Sequence, residues 1–150
     1  MKLEIAIDNA YKELKKNNIK SAFIDSEILL SQAINKSREF IILNLDREVS
    51  NKEYNYFQEM VNQRSKGKPI AYLTGKKFFW KDEFLIHDNV LIPRPDTEVI
   101  IEQVLKIYKK KNKINFLDIG FWSGGILISI LKERRDFIAT GVVISNHALK

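Results

Sequence analysis

The chain has no cysteine, which excludes disulfides and thiolate metal sites alike. Histidine is scarce: His87 and His147 stand far apart, without the Glu-x-x-His spacing of a ligand pair, so no metal is expected. Long hydrophobic runs are missing too. The longest candidates, residues 40–43 and 125–131, fall far short of the roughly 20 apolar residues that span a bilayer. The opening Met1-Lys2-Leu3-Glu4 puts an acid where a signal peptide needs a clean apolar stretch. A cytoplasmic protein with no membrane partner is the expectation. Only three prolines occur, Pro69, Pro93 and Pro95, none adjacent to another. There is no internal repeat, no low-complexity linker and no Gly-x-Ser-x-Gly elbow, so Ser123 reads as a turn serine and not as a nucleophile.

What is present describes a globular chain. Of 150 residues, 45% are apolar and 29% charged, a balance that supports a core and argues against disorder. That length suits one domain, or a small one joined to part of another. The net charge is +6, with lysines spread along the chain. Their densest cluster, Lys109, Lys110, Lys111 and Lys113, falls at the end of an expected helix, where cations favour the helix dipole. A nucleic-acid footprint would interleave aromatics on one basic face. Direct nucleic-acid binding is therefore not expected, with an acidic partner such as RNA as the alternative, and a monomer is expected.

From Leu3 to about Lys66 the apolar spacing is helical. Ile5, Ala6, Ala10, Tyr11 and Leu14 mark a first helix that Asn17-Asn18 ends. A second covers residues 21–33, with Ala22, Ile24, Ile28 and Leu29 for its inner face. Ser37 suits the cap of a short third helix through Leu43, and Ser50-Asn51-Lys52-Glu53 has capping-box spacing. Behind that box Tyr54, Phe57, Met60 and Val61 form a stripe, which Gly67 closes. From Lys68 the grammar changes. Residues 77–80 and 83–86 are short strand-like runs split by Lys81-Asp82, a hairpin pattern. Residues 90–92 are extended and locked by Pro93 and Pro95. Thr97 or Asp96 is then expected to cap a helix to about Lys110, with Val99, Ile100, Val104, Leu105 and Ile107 inside. A buried strand over 114–119, a helix over about 124–132 and a strand over 137–144 complete a βαβ unit. The expected fold is α + α/β: a helical bundle over 1–75, a hairpin linker over 76–95, and the start of a Rossmann-like sheet over 96–150.

The residues with chemical potential lie in that second half. The first βα turn reads Asp118-Ile119-Gly120-Phe121-Trp122-Ser123-Gly124-Gly125. A strand ending in an acid and followed by Gly-x-x-x-Gly is where doubly wound folds take nucleotide-like cofactors, because glycine lets the backbone approach the ligand. Two glycines also suit an ordinary helix-capping turn, so spacing alone leaves both readings open. Arg94, Asp96 and Glu98 are likewise either charges at a helix start or the wall of a cleft.

The run from Lys66 through Pro69-Ile70-Ala71-Tyr72-Leu73-Thr74-Gly75, then Phe79-Trp80, then Ile92-Pro93-Arg94-Pro95-Asp96-Thr97-Glu98 resembles the release-factor N5-glutamine methyltransferases, the HemK/PrmC group. Residues 25–30, Lys36-Ser37-Arg38 and the Asp118 loop fit the same family. The resemblance implies a helical domain that docks peptide chain release factors, followed by a methyltransferase domain that uses S-adenosylmethionine. It implies methyl transfer to the amide nitrogen of the release factor's Gly-Gly-Gln glutamine, a poor nucleophile that must be held in line. It assigns Asp118, Gly120, Phe121, Trp122, Ser123, Gly124 and Val143 to the cofactor. Arg94, Pro95, Asp96, Thr97 and Glu98 it assigns to the substrate cleft. Three departures qualify it. The family's amide-holding Asn-Pro-Pro-Tyr run does not occur, and the chain stops before its expected place, so no catalytic residue is named. Phe121-Trp122 stands where the family has Thr-Gly, and Val143 stands where it has an acid for the ribose hydroxyls. Very weak binding of S-adenosylmethionine, and a marginally packed tail from about Ile114, are the expectations.

Overall fold

Leu3, Ala6, Ile7, Ala10 and Leu14 line one side of the first helix and are buried, the three-and-four spacing that a helix needs to bury a stripe. The computed structural model describes residues 1–88 and 90–144, and the chain divides into two compact units, Met1–Thr74 and Gly75–Lys150. His147 lies outside the described residues. None of the helices is long and apolar enough to cross a membrane among the described residues.

The first unit holds five helices: α1 (Leu3–Lys16), α2 (Ala22–Ile34), α3 (Arg38–Leu43), α4 (Asn51–Ser65) and α5 (Ile70–Thr74). Asn18 (φ 61°) and Asn35 (φ 50°) take the left-handed conformation just past α1 and α2, a role asparagine fills with little strain. Ser37 accepts from the Phe40 N–H at 3.2 Å and starts α3. The capping box at α4 is complete, with the Ser50 N–H donating to Glu53 Oε2 at 2.9 Å and the Glu53 N–H donating back to Ser50 Oγ. Behind it Phe57, Met60 and Val61 are buried with Leu29, Leu30 and Ile41 in one core.

The inner faces differ from the periodicity in two places. Ile5 and Ile24 are about half exposed, and the buried side of α2 instead includes Asp25, Ser26 and Glu27. These polar groups go inward because each finds a partner. Ser26 Oγ donates to the Ala22 carbonyl at 2.7 Å, Arg38 Nε meets Glu27 at 2.7 Å, and Arg64 Nε meets Asp25 at 2.8 Å. Asp25 also accepts from Ser21 Oγ, while the Arg64 guanidinium donates to the Lys68 carbonyl at 3.1 Å. The pair therefore ties α2 to the end of α4. The helix α5, absent from the sequence expectation, starts directly after Pro69, whose carbonyl accepts from the Tyr72 N–H at 3.1 Å; proline ends a helix but readily precedes one.

The second unit opens with a hairpin, β1 (Lys76–Phe79) and β2 (Asp82–Leu85), paired so that Phe79 faces Asp82. The two-residue turn is thus Trp80-Lys81, not Lys81-Asp82. Such turns need a left-handed residue, and Trp80 supplies it at φ 57°. Two carboxylates hold it there: the Trp80 N–H donates to Glu98 Oε1 at 2.8 Å and the indole Nε1–H to Glu133 Oε1 at 2.9 Å. A 3-10 turn (Pro95–Thr97) leads into α6 (Glu98–Ile107). Neither Asp96 nor Thr97 caps it with a side chain; the Thr97 N–H is satisfied by the Arg94 carbonyl at 3.0 Å. The helix ends at Ile107 and not near Lys110. Of its apolar residues Ile101 is buried, Val104 and Leu105 are half-buried, and Val99, Ile100 and Ile107 are exposed.

Strand β3 (Asn115–Ile119), helix α7 (Gly125–Glu133) and strand β4 (Ile138–Val142) form the βαβ unit, with β3 and β4 parallel and Leu117 opposite Thr140. The expected buried strand is covered on one face only. Phe116, Asp118, Ala139 and Gly141 are half-buried, while Leu117, Ile119, Ile138 and Val142 on the other face are at least half exposed. Parallel sheets normally carry cover on both faces, so this pair is stabilised from one side. Arg134 fastens its lower end, donating to the carbonyls of Tyr108 and Lys111 and pairing with Asp136. That guanidinium holds the Asp136 carboxyl down to about 2.

The Asp25–Arg64 pair gives a direct test. Removing one partner of a largely buried ion pair strands the other charge. Arg64→Ala is expected to lower the urea-unfolding free energy of the helical unit by about 3 kcal/mol; a change below about 1 kcal/mol would show that water replaces the guanidinium.

Candidate active-site turn

The turn between β3 and α7 is shaped by three left-handed residues in alternation. Gly120 has φ 80°, Trp122 φ 34° and Gly124 φ 71°. Glycine takes that region freely, whereas a residue with a Cβ pays roughly 1–2 kcal/mol. Trp122 therefore sits on a backbone suited to glycine. Hydrogen bonds fix the path: the Gly120 N–H donates to the Val142 carbonyl at 2.6 Å, the Gly124 N–H to Phe121 at 2.5 Å, and the Ile128 N–H to Gly124 at 2.8 Å.

Two aromatic rings fill the turn. A Cβ built on Gly141 would lie 2.7 Å from Phe121 Cδ1 and 3.0 Å from Cε1, so the Phe121 ring rests flush on the Gly141 backbone. A Cβ on Gly120 would lie 3.6 Å from the indole Nε1 of Trp122, an ordinary contact, and Gly120 itself stays exposed. On the other side Phe79 presses on Gly125, where a Cβ would be 3.1 Å from the ring. At Gly124 the close neighbour is instead Ile128, whose Cδ1 would lie 2.7 Å from a Cβ there.

Beside the turn is a cavity of about 130 Å³. Asp118, Gly120, Phe121, Trp122 and Ser123 line it from the turn, and Arg94 and Thr97 from the proline run. Pro95, Asp96, Glu98, Gly124 and Val143 are not among its walls. Glu98 is engaged by Trp80, and Val143 follows β4, half-buried. The sequence reading did not assign Phe79, Leu91, Ile92, Pro93, Gly125 and Ile126 to the site, and they complete the lining; Phe79, Ile92, Pro93 and Gly125 stand within the runs that it quoted. A second, open groove of about 390 Å³ lies alongside, bordered by Asp82, Phe84, His87, Val90, Ile128 and Lys132. Trp122 and Ser123 border both. No group of carboxylates and histidines suited to a metal occurs among the described residues.

Burial raises the Asp118 carboxyl above its ordinary range, and the Leu127 N–H only partly offsets this. A nucleoside cofactor does not fit the turn as built. The cavity is under half the roughly 300 Å³ at which small-molecule sites begin. The rings occupy the backbone that the ligand would approach, and Val143 offers no acceptor for a ribose hydroxyl.

A helical bundle, then a hairpin and a βαβ unit with a glycine turn at the carboxyl end of its first strand, is the opening architecture of an α/β methyltransferase. Residues 6–75 match the family model described as the PrmC N-terminal domain. A release factor glutamine methyltransferase of Leptospira interrogans is 41% identical over 138 residues, 91% of this chain and 48% of the relative. The enzyme of the same name from Clostridium acetobutylicum is 38% identical over 91% of this chain and 48% of its own length. That of Koribacter versatilis is 35% identical over the whole chain and 54% of its own length. The chain is similar to release factor glutamine methyltransferases over at least nine-tenths of its own length, and it spans about half the length of the curated relatives it matches.

The raised Asp118 carboxyl predicts a pH dependence. The folded second unit binds this proton more tightly than the unfolded chain, so the contribution favours folding at low pH and fades as pH rises through the folded pKa. The Asp118 carboxyl carbon is expected to titrate by NMR with a midpoint above 3.8. Asp118→Asn is expected to raise the melting temperature at neutral pH; a midpoint at or below the ordinary value would contradict the desolvation.

Proposed function

We propose that the helical domain, residues 1–75, docks a peptide chain release factor. Residues 96–150, after the hairpin segment 76–95, are the opening of a methyl-donor domain whose cofactor turn is closed in this chain. The observation that carries the docking is a groove of about 560 Å³ in the helical unit, walled by α1, α2 and the segment around α3. Its apolar surface comes from Ile7, Tyr11, Phe23, Ile42 and Leu45 and its charge from Glu4, Asp8 and Glu27. Phe23 and Ile42 are about half exposed. Asp8 is paired with Lys12 and Glu27 with Arg38, so the exposed apolar side chains carry the recognition, and they suit a partner segment with apolar anchors. The match of residues 6–75 and the names of the relatives support a release factor as that partner.

S-adenosylmethionine is the donor that this reading assigns to the family, and it would bring the electrophilic methyl group. Asp118, Gly120, Phe121, Trp122, Ser123, Gly124 and Val143 stand at the donor's place, and Arg94 through Glu98 at the edge of the substrate cleft. Two rings and a missing acceptor oppose the donor in this chain. The reading is therefore recognition of a release factor by a chain whose turn opposes the donor.

Titration calorimetry with a bacterial release factor tests it. Binding is expected, and Phe23→Ala with Ile42→Ala is expected to weaken it by about tenfold or more, as for buried anchor residues. Labelled S-adenosylmethionine is expected to leave no label on the release factor. Equal affinity of the double variant, or no binding by the parent chain, would remove the docking assignment.

A further inference from the structure

We propose that the β3–α7 turn contains a latent site for an adenine-type nucleoside, held shut by Trp122 and Phe121. This rests on reading the second unit as the opening of a methyl-donor domain. The argument starts from the backbone. At φ 34° Trp122 occupies a conformation that glycine takes without strain, and Gly120 and Gly124 on either side are already left-handed. The path of the turn thus survives removal of the indole. Next is the space. Trp122 borders both the cavity of about 130 Å³ and the open groove of about 390 Å³. Removal of its ring is expected to open space between them, toward the roughly 300 Å³ at which small-molecule sites begin.

The last element is the glycine under Phe121. A ring whose carbon would lie 2.7 Å from a Cβ on Gly141 leaves no room for a ligand at that strand end. With the ring removed, the Gly141 backbone at that strand end is left bare. The site is closed by side chains and not by the course of the main chain. Val143 still supplies no carboxylate for a ribose, so the opened site binds with modest affinity.

S-adenosylhomocysteine is the probe, titrated by NMR and calorimetry into the full chain, Trp122→Gly, and Phe121→Ala with Trp122→Gly. The parent is expected to give no saturable binding up to about 1 mM. Trp122→Gly is expected to bind at least about tenfold more tightly, and the double variant more tightly again. Parent binding equal to that of the variants would overturn the proposal, because the rings would then be contacts and not a closure. A Trp122→Gly chain that keeps its second-unit amide spectrum yet gains no affinity would overturn it as well. So would loss of that spectrum, since the turn would then depend on the indole. Capture of ATP in place of S-adenosylhomocysteine by the opened variants would overturn the methyl-donor reading and leave the closure by the rings standing. Release-factor docking by the helical unit is independent of every one of these outcomes.

Discussion

The second unit depends on a turn in which one left-handed residue is not glycine. Three left-handed positions in a five-residue turn redirect the chain from β3 into α7, and two are glycine. The third, Trp122, accepts strain that a glycine would not feel. The indole then lies beside Gly120, and its neighbour Phe121 lies on Gly141. Two aromatic rings occupy a turn of the shape that lets a ligand touch the main chain. That occupancy accounts for the cavity's small size and the poor fit of a nucleoside.

The two units are stabilised in different ways. In the helical unit charges are brought inside in matched pairs, Asp25 with Arg64 and Glu27 with Arg38, around an apolar centre of Leu, Ile and Phe. These pairs set how α2 meets α3 and α4. In the second unit the buried apolar side chains are sparser, and the sheet is held from one face. Long-range fastenings compensate. Glu133 takes hydrogen bonds from Trp80 and Lys81, and those donors hold its carboxyl below the usual range. Arg134 ties the entry to β4 to the turn after α6. The cluster at Lys109, Lys110 and Lys111 follows that helix end, all three exposed.

Local devices were legible in the sequence and distant ones were not. The capping box at Ser50 and Glu53 and the asparagine that ends α1 are complete within a few residues, so spacing revealed them. The turn at Trp80 was misplaced by one residue because its carboxylate partners, Glu98 and Glu133, are far away in the chain. That Asp25, Ser26 and Glu27 turn inward was not legible, because nothing local announces that Arg64 will meet Asp25. Ile5, Ile24, Val99 and Ile100 were expected inside and are exposed, since periodicity does not say whether a neighbour exists to cover a stripe. At the candidate site, the sequence placed Trp122 against the approach to the cofactor. It did not show that Phe121 would reach across to Gly141, which is a contact between strands.

The most direct measurement is the proton NMR environment of Gly141. A ring lying flush on its backbone shields the α protons and gives strong cross-relaxation from the Phe121 ring. The account predicts upfield-shifted Gly141 α protons with such contacts, together with a coupling constant at Trp122 that reports positive φ. Gly141 α protons at ordinary positions without Phe121 contacts, or an extended Trp122, would contradict it.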